Sequence, residues 1–98
     1  MHFRIKWTTR AQSQFIRIGE FIAGKWGVKA AIGFQNQLHE YLAVIEFMPT
    51  AFPEIAGKSN WRRCVVTKRT VMFYRIEKQT VIIAGIYDTR MNPDSFLL

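Results

Sequence analysis

From Ala11 to Ile45 the apolar residues recur at helical spacing, and the pattern is interrupted once, around Gly27. Ala11, Phe15, Ile18 and Ile22 form one stripe, with Gln12, Gln14, Arg17 and Glu20 mostly outside it. The hydroxyl of Thr8 or Thr9 can cap this segment, because it accepts from the free amides of a first helical turn. Ala31, Phe34, Leu38, Leu42 and Ile45 form a second stripe, flanked by Tyr41 and Phe47 and stopped at Pro49. A glycine at the break can take the left-handed conformation that ends a helix. Two helices joined so closely fold back on each other as an antiparallel hairpin, and a hairpin with two apolar stripes needs a second layer to cover them.

The rest of the chain supplies that layer. "HFRIKW" sets Phe3, Ile5 and Trp7 against Arg4 and Lys6, the period of a half-buried strand, and predicts an edge strand over residues 2 to 7. Residues 49 to 60, "PTAFPEIAGKSN", hold two prolines and a glycine and predict a loop. Three runs rich in Val, Ile, Phe and Tyr follow, at 61 to 67, 71 to 77 and 80 to 88, and their short connections make them consecutive antiparallel strands. The last run is apolar at odd and even positions alike, so it is expected to be central and covered on both faces. Asn92-Pro93-Asp94 predicts a turn, after which Phe96, Leu97 and Leu98 could fold onto that strand, unless a partner covers it. The expected fold is therefore α+β, in the order β-α-α-β-β-β, with a helical hairpin packed on a mostly antiparallel sheet. One domain over residues 1 to 98 is expected at this length. Its core candidates are Phe3, Ile5, Phe15, Ile18, Ile22, Phe34, Leu38, Leu42, Ile45, Val66, Ile76, Ile82 and Ile86.

Charge narrows the partners. The chain carries 14 Lys and Arg against 7 Asp and Glu, a formal charge of +7, which favours a polyanionic or acidic partner. Between Ile55 and Ile76 stand Lys58, Arg62, Arg63, Lys68, Arg69 and Arg75 with no acidic residue among them. Strand alternation sends Arg62 and Arg63 to opposite faces, while Arg62, Arg63 and Arg90 could still converge at one end of the sheet. Such cations can stabilise a phosphorane if a tyrosine, lysine or histidine nearby moves protons, and Tyr74 and Tyr87 are the candidates, although both are read first as core residues. No metal site and no cofactor are expected: His2 and His39 stand alone, and the six glycines are scattered rather than gathered into a phosphate-binding loop. Neither a nucleophile elbow nor an apolar run of membrane-spanning length is present, and the single cysteine, Cys64, is read as a packing residue. A soluble, cytoplasmic protein is expected.

Taken together, "RIKWTTRAQSQFIRIGEFIAGKWG", "AIGFQNQLHEYLAVIEFMPTAFPEI" and "WRRCVVTKRTVMFYRIEKQTVIIAGIYDTRMNP" resemble the RelE/ParE superfamily of bacterial toxins, of the plasmid-stabilisation type. The resemblance covers almost the whole chain. It implies the fold just derived, and a toxin of a type II toxin–antitoxin system neutralised by an acidic antitoxin, partly disordered when alone. RelE-like members are ribosome-dependent mRNA endonucleases, and Lys58, Arg63 and Arg90 stand where their basic catalytic residues would lie. ParE-like members are associated with inhibition of DNA gyrase. Beyond Arg90 the tail holds Phe96 and no tyrosine, and "DTRMNP" is closer to the ParE branch, so a gyrase inhibitor rather than an enzyme is expected first. The alternatives are a metal-independent endoribonuclease acting on ribosome-bound mRNA and an inactive toxin-like binding module. The expected contacts with target or antitoxin are Arg62, Arg63, Arg75, Arg90 and Phe96.

Overall fold

A computed structural model of the chain describes residues 2 to 91. In chain order these form β1 (Arg4–Trp7), α1 (Thr9–Trp26), α2 (Val28–Phe47), a turn of 3-10 helix (Pro49–Ala51), β2 (Glu54–Ile55), β3 (Lys58–Val65), β4 (Thr70–Glu77) and β5 (Thr80–Asp88). The strands make one sheet in the order β1-β5-β4-β3-β2. β1 lies parallel to β5, with Ile5 opposite Val81 and Trp7 opposite Ile83, and every other pair is antiparallel. After the hairpin the chain re-enters at the far edge and returns strand by strand, which leaves β5 in the interior beside β1. This is the expected α+β order, with the last strand interior as its two-sided apolarity requires.

Thr8 fixes where the helical layer begins. Its Oγ1 accepts from the Ala11 amide at 3.1 Å and donates to the Ile83 carbonyl at 3.0 Å, so one hydroxyl caps α1 and ties it to β5. Gly27 alone joins the two helices, at φ 97°, a value that disfavours any side chain. The hairpin stripes and the inner face of the sheet close on each other. Ile18, Ile22, Leu38 and Ile45 meet Cys64, Met72, Tyr74, Val81, Ile83 and Ile86, and all are buried. Phe3, Ile5, Phe15, Leu42 and Ile76 pack around this centre, partly buried.

Two expectations are corrected. Residues 49 to 60 are not all loop: they contain the 3-10 turn, β2 and the start of β3, held by a tight turn at Gly57 (φ 78°) and an irregular Asn60 (φ 71°). Asparagine tolerates that left-handed conformation better than most residues, so the strand passes through a residue that reads as a turn former. The second correction is Ile82. In β5 the register slips between Ile83 and Gly85, leaving Ala84 as an extra residue opposite the Phe73–Tyr74 step. The bulge reverses the parity of the strand, so Val81 and Ile83 face the helices before it and Ile86 after it. Ile82 pairs with Arg75 on the opposite face and is only half-buried. The expected turn at Asn92-Pro93-Asp94 and the docking of Phe96, Leu97 and Leu98 lie outside the described residues.

Candidate functional site

The helices lie on one face of the sheet, and the other face collects what the core excludes. The β3–β4 register places Trp61 beside Arg75, Arg63 beside Phe73 and Val65 beside Val71. The β4–β5 register adds Tyr87 beside Val71. At the β1 edge Lys6 comes level with Ile82 on the same side. Basic and aromatic side chains thus alternate across the open face, with Arg63 and Lys6 exposed.

Near its middle is a cleft of about 100 Å³, with Phe73, Tyr87 and Gly85 in its wall and Arg10, Lys58 and Trp61 around it. The Phe73 and Tyr87 rings meet edge to face at 5.7 Å. A side chain at position 85 would meet the Tyr87 ring at 2.8 Å, so only glycine lets that ring lie back along its own strand. The Arg10 guanidinium stands 5.6 Å from the centre of the Tyr87 ring, and Lys58 and Arg75 stand 5.8 and 5.7 Å from that of Trp61. Arg75 also pairs with Glu77 at 2.6 Å. Phe73 and Tyr87 are themselves buried, at 7% and 4% exposure. The aromatic surface here is therefore largely occupied, and what the face offers a ligand is positive charge.

The predicted residues separate. Lys58, Arg63 and Arg75 share the open face. Arg62 points the other way: its Nη1 donates to the Phe52 carbonyl at 2.7 Å and the Thr50 carbonyl at 3.2 Å, and its Nη2 lies 3.9 Å from Glu54. Beside it the Tyr74 hydroxyl donates to the Pro49 carbonyl at 2.6 Å. Burial, with a further contribution from neighbouring Cys64 and only partial relief from Arg62, pushes the Tyr74 hydroxyl well above the usual tyrosine range. Together these two side chains hold the segment from Pro49 to Glu54 from the helix side. Arg62 and Tyr74 are thus engaged away from the open face, whereas Tyr87 stands on it.

Arg90 lies past the end of β5, so it does not converge with Arg62 and Arg63. Its Nε and Nη2 donate to the two Asp88 oxygens at 2.8 and 2.6 Å, and Thr70 Oγ1 donates to Asp88 Oδ2 at 2.8 Å. The Asp88 side chain is fully buried. Burial alone would raise its pKa, but hydrogen bonds from Arg90 and Thr70 and the charge of Arg90 outweigh this and hold the carboxyl below its ordinary value. Arg90 also covers Trp26 at 5.0 Å. Phe96 lies outside the described residues. No group of three or more His, Cys, Asp or Glu able to hold a metal occurs among the described residues.

The residue that the sequence reading missed is Arg10. It lies in the first turn of α1, off the apolar stripe, and the bonds from Thr8 to the Ile83 carbonyl and from the Ile86 amide to Gln14 bring the start of that helix against β5. Gly85 was also missed; its one legible signal was a glycine two places before a tyrosine in an otherwise apolar strand.

A two-helix hairpin on a mostly antiparallel sheet is a fold shared with small toxins of toxin–antitoxin systems. The family described as the ParE toxin of the type II toxin–antitoxin system parDE matches residues 5–93, and the chain belongs to that family. No curated protein matches it in sequence. Among solved structures it is similar to the chromosomal ParDE toxin–antitoxin system of P. aeruginosa, at TM-score 0.75 and 13% identity over 89% of this chain and 96% of the other. The E. coli DinJ–YafQ toxin–antitoxin complex gives TM-score 0.66 at 8% identity over 94% and 98%. E. coli toxin RelE in its free state gives TM-score 0.66 at 12% identity over 95% and 90%. Identities this low speak for the fold alone. No helix among the described residues is long and apolar enough to cross a membrane.

Proposed function

We propose that this type II toxin acts by inhibiting DNA gyrase and is neutralised by an acidic antitoxin that covers part of its basic surface. The observation that carries the reading is the ParE family match over residues 5–93. The neighbours solved as toxin–antitoxin complexes support the antitoxin. The open face supports it physically, since Lys58 and Arg63 are exposed there and a carboxylate-rich segment would gain ion pairs as it covers them. Bacterial origin, a cytoplasmic location and a role in plasmid stabilisation belong to the same proposal.

The second reading is a RelE-like, metal-independent ribosome-dependent mRNA endonuclease. Lys58 and the Tyr87 ring border one cleft, with Arg63 beside Phe73 in its wall, which favours this alternative. In that case Lys58 and Arg63 would stabilise the phosphorane and Tyr87 would move a proton, while Arg90 would first have to leave Asp88. A toxin-like binding module without activity is the remaining reading. Purified protein should be tested in a gyrase supercoiling assay beside a ribosome-programmed mRNA cleavage assay. Loss of supercoiling without mRNA cuts is expected. Cuts that disappear in Arg63→Ala, by about 2–4 kcal/mol of transition-state stabilisation, would replace the first reading with the second.

A further inference from the structure

Gly27 is the whole connection between α1 and α2, so Lys25, Trp26, Val28 and Lys29 stand at the projecting end of the hairpin. All four are exposed. The apolar pair is turned outward: Trp26 is 54% exposed and Val28 69%, and Ile32, one turn further along α2, is 48% exposed. The turn itself is fixed, with the Gly27 amide donating to the Ala23 carbonyl at 2.9 Å and the Ala31 amide to the Gly27 carbonyl at 3.3 Å. The Trp26 ring is held too, edge to face with Phe21 at 6.0 Å and 5.0 Å from the Arg90 guanidinium.

The charge around this end has one sign. From Phe21 to His39 the chain carries Lys25 and Lys29 and no acid. The β3–β4 turn brings Lys68 and Arg69 to the same end, across a groove from Trp26 and Ala30. Asp88 does not offset them, because its two oxygens are taken by Arg90 and Thr70. Lys25, Lys29, Lys68 and Arg69 are exposed and make no ion pair among the described residues.

We propose that the hairpin tip docks the protein on an anionic membrane surface, with Trp26 and Val28 entering the headgroup region and Lys25, Lys29, Lys68 and Arg69 meeting lipid phosphates around them. One exposed apolar side chain would need no explanation, but three at a rigid end ringed by four unpaired cations match what a bilayer interface rewards. There the indole and the isopropyl group leave water, while the lysine stems lie along them and keep their ammonium groups at phosphate level. The contact is with one leaflet, since no helix among the described residues is long and apolar enough to cross a membrane. Duplex DNA suits the cations but gives Val28 and Ile32 no apolar surface to meet. A second copy of this chain, at +7, would set like charges against each other. The open face takes no part, so the proposal stands whichever target that face serves.

The test uses the full chain and vesicles of phosphatidylglycerol and phosphatidylcholine in equal parts, with pure phosphatidylcholine vesicles for comparison. Wild type should sediment with the anionic vesicles and not with the neutral ones. Lys25→Gln with Lys29→Gln should weaken binding by about fivefold for each charge removed, and Val28→Glu by at least as much as the pair. Lys6→Gln with Arg63→Gln, which removes the same charge from the open face, should change it by about twofold or less, because charges beyond a Debye length from the lipid are screened. Lipid brominated on its acyl chains should quench wild-type fluorescence and leave Trp26→Phe, which keeps Trp7 and Trp61, unquenched. Thermal melting shows that each variant is folded. Failure of wild type to bind the anionic vesicles overturns the proposal, as does equal loss from the tip pair and the open-face pair, which would mean that the lipid senses only net charge. Displacement of the vesicles by a duplex oligonucleotide that binds through Lys25 and Lys29 would make the tip a nucleic-acid surface and overturn it. Self-association abolished by Val28→Glu would make the occupant a second copy and overturn it equally.

Discussion

Arg62 and Arg63 are neighbours on one strand with opposite fates. Arg62 faces the helices, is 17% exposed and spends its guanidinium on the carbonyls of Thr50 and Phe52. Arg63 faces outward beside Phe73 and is exposed. The same contrast runs across the whole sheet: Cys64, Met72, Tyr74, Val81 and Ile83 fill one side, and Lys6, Lys58, Arg63 and Arg75 occupy the other. A run of cations in sequence is therefore not a run of cations in space. Parity divides it into a structural half and a half left available to partners.

The contrast is most severe for apolar residues. Ile83→Ala, on the inner face at 0% exposure, should cost about 2–5 kcal/mol in chemical denaturation, because it empties a filled core. Ile82→Ala, one residue away and half-buried on the open face, should cost roughly half of that or less. Equal costs would mean that the bulge at Ala84 does not divide the strand as described.

Next in size is the clamp on the segment from Pro49 to Glu54. Arg62→Met leaves the Thr50 and Phe52 carbonyls without their donor and should cost about 1–3 kcal/mol. Tyr74→Phe loses one buried hydrogen bond, to Pro49, and should cost about 1 kcal/mol. Because the clamped segment leads into Ile55 and Lys58 at the open-face cleft, amide exchange should quicken there in both variants. Unchanged exchange would mean that the two faces are not coupled through this loop.

These cases show where sequence reading reaches and where it stops. Both helices, their glycine junction and the order of strands were legible because each rests on a local period. Val81 and Ile83 were missed in favour of Ile82 because a bulge is a tertiary event: in a run apolar at every position, nothing local says where parity reverses. Opposite faces for Arg62 and Arg63 followed from alternation alone. That Arg62 would be consumed by backbone carbonyls required knowing where Pro49 to Glu54 folds, and Arg10 entered the site only through contact between the start of α1 and β5.

A pH effect follows from Asp88. Its pKa is lowered in the folded state, so its contribution to stability is present above the unfolded value, about 3.9, and is lost as pH falls below it. Denaturation midpoints should decline in acid, and Asp88→Asn should remove that part of the decline, detaching Arg90 from its anchor. Cys64 acts at the other end. Burial pushes its thiol up to about 12, so its contribution is present below the unfolded value of about 8.5 and is lost as pH rises from there. Cys64→Ala should flatten the alkaline side, on top of a cavity cost that does not vary with pH.

The smallest effect on stability, and the most informative one, is expected on the open face. Arg63→Glu should leave the melting temperature nearly unchanged, within about 0.5 kcal/mol, because an exposed cation without an ion pair among the described residues adds little to folding. Reversing one charge on a chain of formal charge +7 also relieves self-repulsion, so a slight gain is as acceptable as a slight loss. Partner binding should move in the opposite sense. Where an acidic segment covers this face, reversing one charge costs affinity mainly at low salt, and the gap between Arg63→Glu and wild type should narrow as ionic strength rises. Arg62→Met should give the mirror image, with stability reduced and the salt dependence of binding retained. If Arg63→Glu destabilised the fold as much as Arg62→Met does, the open face would be structural, and the surface that meets the partner would have to be sought elsewhere on the chain.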